Sequence, residues 1–546
     1  MSNKVKKRRK DPATNAGAEI FGQLIEYTLA VMMIVICVAV PLYAKEGYQQ
    51  IGNAKFTAYK YIIMVGFSIL LVMAAFYFLF RIREKFKWSV SITDVLVPAY
   101  LIFSGISVIS GGFYEDALWG CNGWNMGLMS QLSFVLLYLF LSRFGRYYRL
   151  IVTVMCSVAA VVFFIGILHR MMIDPIGFYD GLENYQKAQF LSTLGQATWY
   201  ASFLVVMLPV GIAFFLYAGN RLCLVLSGIY VWIGFCSLVT QNSDSAYFAL
   251  AGFMLVFFWL SAEKRESFCR FLWVCTLFFA AGKLMYYLLK IHPNPDLEYD
   301  VITNFILCSA CTWILLVLFA AAGVTMHLCK QKPYPAEMML RLRKGMLIAV
   351  GTLSVGIVCC IVLQAKGLLP EWLAVRLGRL SYLNWDDSWG NGRGRIWSFA
   401  VRMYGQESLR HKLFGVGPDC FNSYVTAYHS EEAQLLWGEK LLTNAHNEWL
   451  NILINTGLFG VAAYVGIFVS AASRFMKRAS ENPMLAGATA AIVSYMAYNF
   501  FCYQQVLCTP FIFILIGIGE YVTKQLTNKI SSSRIIINKA KKKQLT

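Results

Sequence analysis

The chain has 546 residues, of which 58% are hydrophobic, 15% aromatic and only 14% charged, against roughly 25% charged in soluble domains. That composition excludes an ordinary soluble enzyme. A net charge of +19 does not mark a nucleic-acid partner either, because the basic residues sit in short segments between apolar runs, where they act as topology signals.

A bilayer core about 30 Å thick needs about 20 consecutive apolar residues per helix. Such windows recur near 24–43, 59–81, 93–110, 126–143, 149–169, 197–218, 222–240, 245–261, 269–290, 302–328, 345–364, 448–473, 484–502 and 506–524. The expected fold is therefore an all-α polytopic membrane protein with about 14 transmembrane helices (12–14), since irregular backbone facing lipid leaves polar groups unsatisfied. A basic tail at 1–23, with no apolar core or small-residue cleavage site, precedes the first span, so that span itself directs insertion. A transmembrane bundle at 24–364, a large loop at 365–446, further spans at 447–524 and a basic tail at 525–546 complete the expected organisation.

Orientation follows from the retention of Lys and Arg on the cytoplasmic side. With the N-terminus inside, the cytoplasmic groups are Lys4 to Lys10, Arg81 to Lys87, Arg143 to Arg149, Arg221, Lys264 to Arg270, Lys330 to Lys344, Arg474 to Arg478 and the C-terminal KAKKK. Both termini are then cytoplasmic in the plasma (inner) membrane, and the 365–446 loop faces out. Most of the 15 cysteines lie within apolar runs, where they act as small packing residues, and no metal-ligand spacing joins Cys121, Cys420, Cys502 and Cys508 near the outer face. The sequence has no Gly-rich phosphate loop, no HExxH and no GxSxG, so it offers no motif for ATP-driven or zinc chemistry.

One outer segment is far longer than a connection. Residues 365–446, against the roughly 15 that bound an ordinary loop, carry Trp372, Trp385, Trp389, Trp397, Phe414, Phe421 and Trp437, enough aromatic surface to fold and pack. Within it, 391–405 reads as an amphipathic helix behind a Gly-broken turn, with Arg393 and Arg395 at its start. A guanidinium fork suits phosphate oxygens, and pairing with Asp386 and Asp387 or contact with lipid headgroups is the alternative. KLFGVGPDCF at 412–421 reads as a tight turn. In TNAHNEWLNILINTGLFG at 443–460, Thr443 or Asn444 is the expected N-cap, which puts His446 and Asn447 in the first turn of a helix whose N-terminus faces out. That position attracts an anion and disfavours a protonated imidazole, as a general base beside a bound diphosphate requires.

Taken together, these segments resemble the O-antigen ligase and polymerase superfamily of surface-polysaccharide assembly. The matching positions are Arg393-x-x-Ile396-Trp397, then Leu413-Phe414-Gly415-Val416-Gly417, then His446-Asn447-x-x-Leu450-x-x-Leu453-x-x-x-Gly457-x-x-Gly460, with looser similarity at 117–128, 192–211 and 241–253. The resemblance implies transfer of a glycan from an undecaprenyl-diphosphate carrier to an acceptor hydroxyl at the outer membrane face. It also implies inversion at the anomeric centre, no metal and no cofactor. His446 is then the base and Arg393 a diphosphate contact shared with Arg395, while Asn447, Trp397, Gly415 and Gly417 support them. The implied partners are the lipid-linked donor, a glycan or lipid-linked acceptor, the bilayer and other polysaccharide-assembly proteins.

The chain departs from the family pattern where it reads Ser243-Asp244-Ser245 and Gly123-Trp124-Asn125, positions at which members often carry arginine. Arg170, Lys187 and Lys283 are the candidates for the missing cation. Lys283 stands out because an ionisable group within a span is costly, although near a span end it can snorkel. Two other classes compete with a transferase: a lipid-linked oligosaccharide flippase, which the number of spans suits, and an inactive scaffold of an export complex.

Overall fold

A computed structural model describes residues 12–81, 89–294, 296–331, 333–378 and 383–544. The basic groups Lys4 to Lys10, Arg83, Lys85, Lys87 and Lys332 lie outside them. Every apolar window becomes helix, and the only strands among the described residues are the two-residue pair Phe190–Leu191 and Gly195–Gln196. Eleven helices among the described residues are long and apolar enough to cross a membrane, and Leu128–Phe144 and Pro483–Tyr498 are shorter apolar helices. The last window opens a helix that continues as Thr509–Gln544. At the centre, Ala197–Leu216 packs against Pro483–Tyr498, and small residues let the backbones approach.

The window at 302–328 is a correction, because it is two helices, Val301–Cys308 and Ala310–Leu328, broken at Ser309. Apolar composition cannot register the break, which is stabilised by polar contacts. Ser309 Oγ accepts the Cys311 N–H at 3.2 Å, and Lys283 Nζ donates to the carbonyls of Leu307 and Ser309 at 2.9 Å each. Lys283 therefore neutralises carbonyls that the break frees inside the bundle.

At one end of the bundle, basic residues anchor two buried carboxylates. Asp94 takes Arg143 at 2.9 Å and Lys524 at 2.8 Å, and Glu520 takes Arg474 at 3.0 Å and Lys524 at 3.3 Å. Arg143 and Arg474, both assigned to the same side by charge, thus meet at one end.

The long loop folds. It contributes Glu371–Gly378, Trp389–Gln406, Leu409–Phe414, Phe421–Tyr428 and Ser430–Trp437. Phe399, Met403, Val416, Phe421 and Val425 build a separate core that also takes in Ala117 and Ile454 from outside the loop. The helix Glu448–Met476 breaks at Gly457, whose φ of 71° is left-handed. Two carbonyls next to the break are taken up by the LFGVG turn: Val416 N–H donates to Ile454 O at 3.2 Å, and Gly417 N–H to Asn455 O at 2.8 Å. The contact is close enough to require glycine on both sides. A Cβ on Gly415 (φ 77°) would lie 2.4 Å from Asn455 O, and one on Gly457 would lie 2.4 Å from Leu413 O.

Gly457→Ala and Gly415→Ala are each expected to destabilise the protein by roughly 2–5 kcal/mol, combining left-handed strain with overpacking. Thermal unfolding of the purified, membrane-extracted protein measures this, and Gly405→Ala, where a Cβ meets nothing within 4 Å, serves as the control.

Candidate functional site

Arg393 is aimed by the turn in front of it. Gly390, Asn391 and Gly392 are all left-handed (φ 58°, 61° and 86°), so the regular part of Trp389–Gln406 begins at Arg393. Its guanidinium donates to Phe501 O from Nε at 3.2 Å and Nη2 at 3.0 Å, and to Gly390 O from Nη1 at 2.7 Å. Trp397 packs on Trp389 at 5.3 Å and on Phe501 at 6.1 Å between ring centroids, walling the same corner.

His446 lies just outside its helix, which corrects the expected cap. Asn447, not Thr443 or Asn444, is the N-cap, and its Oδ1 accepts the Leu450 N–H at 3.1 Å. Any of several polar residues in TNAHN can cap a helix, and the choice is set by Asn444, whose Oδ1 accepts the His446 N–H at 2.9 Å and holds His446 left-handed at φ 47°. The helix end is also less open to an anion than expected, because the Glu448 N–H donates to Asn499 O at 2.8 Å. The anion-attracting charge at this site is Arg393.

The two stations meet through one segment. Arg393 holds Phe501 O, and two residues on, the Tyr503 ring packs edge-on against the His446 imidazole at 5.4 Å. His446 makes no side-chain hydrogen bond among the described residues. Burial first, and the nearby Arg393 charge second, pull its imidazole down to about 4, so it is neutral at physiological pH.

The other candidates divide. Arg395 pairs with Asp387 at 3.0 Å and donates to Leu436 O at 3.0 Å, which ties the loop together. Arg170 is buried, donating to Thr240 O at 2.6 Å and Ala188 O at 2.8 Å. It does share one neighbour with Arg393: burial raises the Asp300 carboxyl, and the fields of Arg170 and Arg393 both oppose that rise. Lys283 is engaged at the Ser309 break, and Lys187 is half-buried on the short helix Asn184–Gln189. Gly415 and Gly417 act through the clamp on Glu448–Met476, and Asn447 acts as the cap.

Four participants escaped the sequence reading: Phe501 and Tyr503, which carry no local motif, and Asp419 and Asn455. Asp419, read only as part of a turn, is left-handed (φ 61°), and its Oδ2 accepts the N–H groups of Cys121 and Met126 at 2.9 Å each. Burial pushes its carboxyl up to about 7. The left-handed backbone of a non-glycine residue in a polar pocket was the feature that could have exposed it, and only the structure displays it.

Fold and site together define a polytopic all-α membrane protein with a polar site between a folded loop and the ends of its spans. Residues 302–465 match the O-antigen ligase family, a stretch that holds Arg393, the LFGVG turn and His446. The match supports the O-antigen ligase superfamily and, with it, a membrane polysaccharide ligase or polymerase kind of function. No curated protein is similar enough to the chain to match it.

Removing the Arg393 charge is expected to raise the proton affinity of His446. Carbethoxylation of His446, mapped by mass spectrometry as a function of pH, should stay high down to about pH 4–5 in the wild type, and its midpoint should move up in Arg393→Ala. An unchanged midpoint would contradict the electrostatic contact.

Proposed function

We propose that the chain transfers a glycan from an undecaprenyl-diphosphate carrier to an acceptor hydroxyl at the outer face of the plasma (inner) membrane, with inversion and without a metal. The observation that carries this reading is the convergence of Arg393 and His446 on the segment from Phe501 to Tyr503. The hydroxyl oxygen bonds to the anomeric carbon as the bond from that carbon to the phosphate oxygen breaks, and its electron pair leaves on the diphosphate. Arg393 stabilises that charge, and the hydroxyl proton passes to His446.

An imidazole held at about 4 is a weak base. Donor binding strengthens it, since a diphosphate beside Arg393 cancels the charge that repels the proton. The lipid portion has a largely apolar groove beside the site, lined by Trp385, Trp397, Val401, Trp449, Leu450, Leu453, Val461 and Phe500, with Ser398, Arg402 and Asn447 also on its wall. A prenyl chain is apolar along its whole length and matches that lining.

A flippase is the second class, and the arrangement favours transfer over it: the motif residues Arg393 and His446 gather in and around one folded loop, while the buried Lys55, Arg170 and Lys283 of the bundle are each held by backbone carbonyls. His446→Ala and Arg393→Ala, each verified as inserted, are expected to lower glycan transfer about 100- to 1000-fold in membranes supplied with the host's lipid-linked glycan. Normal product from both variants would sink the transferase reading. Movement of lipid-linked glycan between leaflets of liposomes, with no change in glycan length, would establish the flippase.

A further inference from the structure

At the end of the bundle that carries Arg143, three helices leave a polar cavity outside the transfer site. It lies between the first half of Pro12–Leu42 and the last turns of Ile51–Arg81 and Leu128–Phe144. Its volume of about 570 Å³ falls within the roughly 300–1,000 Å³ of small-ligand sites. One face of Pro12–Leu42 brings Glu19, Gln23 and Glu26 to it, spaced four and three residues apart. Ionisable groups on a membrane helix are costly and point to a function. The other two helices and the turn after them supply Tyr77, Arg81, Arg143 and Arg146.

The balance of charge restricts what the cavity takes. Arg143 pairs with Asp94 at 2.9 Å and is committed there. Arg146 reaches Glu26 at 3.3 Å with 59% of its side chain exposed, and Arg81 donates to the Tyr77 hydroxyl. The Glu19 carboxylate and the Gln23 amide are exposed, with no partner among the described residues. Two carboxylates, Glu19 and Glu26, thus share the cavity with two guanidinium groups, Arg81 and Arg146. A purely anionic ligand would set its charge beside Glu19 with nothing to offset it. A ligand that carries both a phosphate and an ammonium satisfies both signs. A primary ammonium has N–H donors for Glu19 and Gln23, which a quaternary one lacks.

We propose that this cavity binds the headgroup of a membrane phospholipid, a phosphodiester bearing a primary ammonium, with its phosphate on Arg81 and Arg146 and its ammonium on Glu19 and the Gln23 carbonyl oxygen. The depth suits a headgroup: Arg81 ends its helix, Arg143 stands in the last turn of its own, and Arg146 lies just beyond. Arginines at span ends meet lipid phosphates, and pockets between span ends hold headgroups. In the orientation read from the charges, the lipid belongs to the cytoplasmic leaflet. Once bound, it ties the first membrane helix to the ends of the other two. Gly22 already lets the Tyr77 ring close in there, since a Cβ on it would lie 3.4 Å from that ring. A ligand that binds only the folded chain stabilises it by mass action.

The test uses the full chain purified in detergent, with native mass spectrometry counting bound lipid and the melting temperature followed in parallel. Phosphatidylethanolamine, phosphatidylglycerol and phosphatidylcholine with identical acyl chains are added separately. Phosphatidylethanolamine is expected to bind about 10- to 100-fold more tightly than the other two and to raise the melting temperature most. Glu19→Gln should abolish that preference, and Arg81→Gln should weaken phosphatidylethanolamine and phosphatidylglycerol alike. Equal binding of the three lipids by the wild type, or a preference that survives both Glu19→Gln and Gln23→Ala, overturns the site. Both of those side chains are exposed and unpartnered among the described residues, so neither substitution removes a folding contact. Soluble glycerophosphoethanolamine has the same phosphate and ammonium without acyl chains. It is expected not to displace the lipid at matched concentration, and equal displacement would overturn the membrane lipid as the source. None of these readouts involves glycan transfer, so the site and the transferase reading stand or fall separately.

Discussion

Two backbone hydrogen bonds, Val416 N–H to Ile454 O and Gly417 N–H to Asn455 O, hold the folded loop to a broken membrane helix, and the site is built around them. The break at Gly457 frees carbonyls that a bilayer cannot hydrate. The LFGVG turn supplies the donors, and glycine on both sides lets the backbones approach to within van der Waals contact. This lock places Asp419, two residues beyond Gly417, in the same cleft as Asn455 and Asn444. It also explains why two motifs roughly thirty residues apart occur together: each completes the hydrogen bonding of the other.

Electrostatics then partitions the site. On one side Arg393 is directed by three left-handed residues and by Phe501 O, and it makes an environment for anions. On the other, Asp419 presents a buried carboxyl whose Oδ2 is held by the N–H groups of Cys121 and Met126. His446 lies within the field of Arg393, uncharged because burial and Arg393 both disfavour its protonation. A neutral imidazole beside a cation suits the proposed reaction between an anionic donor and a hydroxyl.

The membrane fold was largely legible in the sequence, since apolar length and charge alternation are direct consequences of the bilayer. The motifs around Arg393 and His446 stand out in the sequence, and the different contacts of Arg393 and Arg395 became distinct only once the Gly390–Gly392 turn and Asp387 were visible. The broken helix at Ser309 was not legible, because an apolar run looks the same whether or not a lysine elsewhere caps its interruption. Neither was the N-cap at Asn447, where five consecutive residues offered several caps and a side-chain bond from Asn444 decided among them. The contributions of Tyr503, Asp419 and Asn455 depend on contacts between segments distant in the chain, and no local pattern encodes them.

Arg393 and His446 are proposed to serve a single diphosphate-linked donor. The most direct measurement is a cryo-electron microscopy structure of the full chain with an undecaprenyl-diphosphate glycan bound. The account predicts phosphate oxygens within hydrogen-bonding distance of the Arg393 guanidinium, the prenyl chain in the groove beside Trp397 and Trp449, and the anomeric carbon facing the side of His446. A diphosphate held elsewhere, with Arg393 still bonded only to Phe501 and Gly390 and His446 away from the sugar, would contradict it.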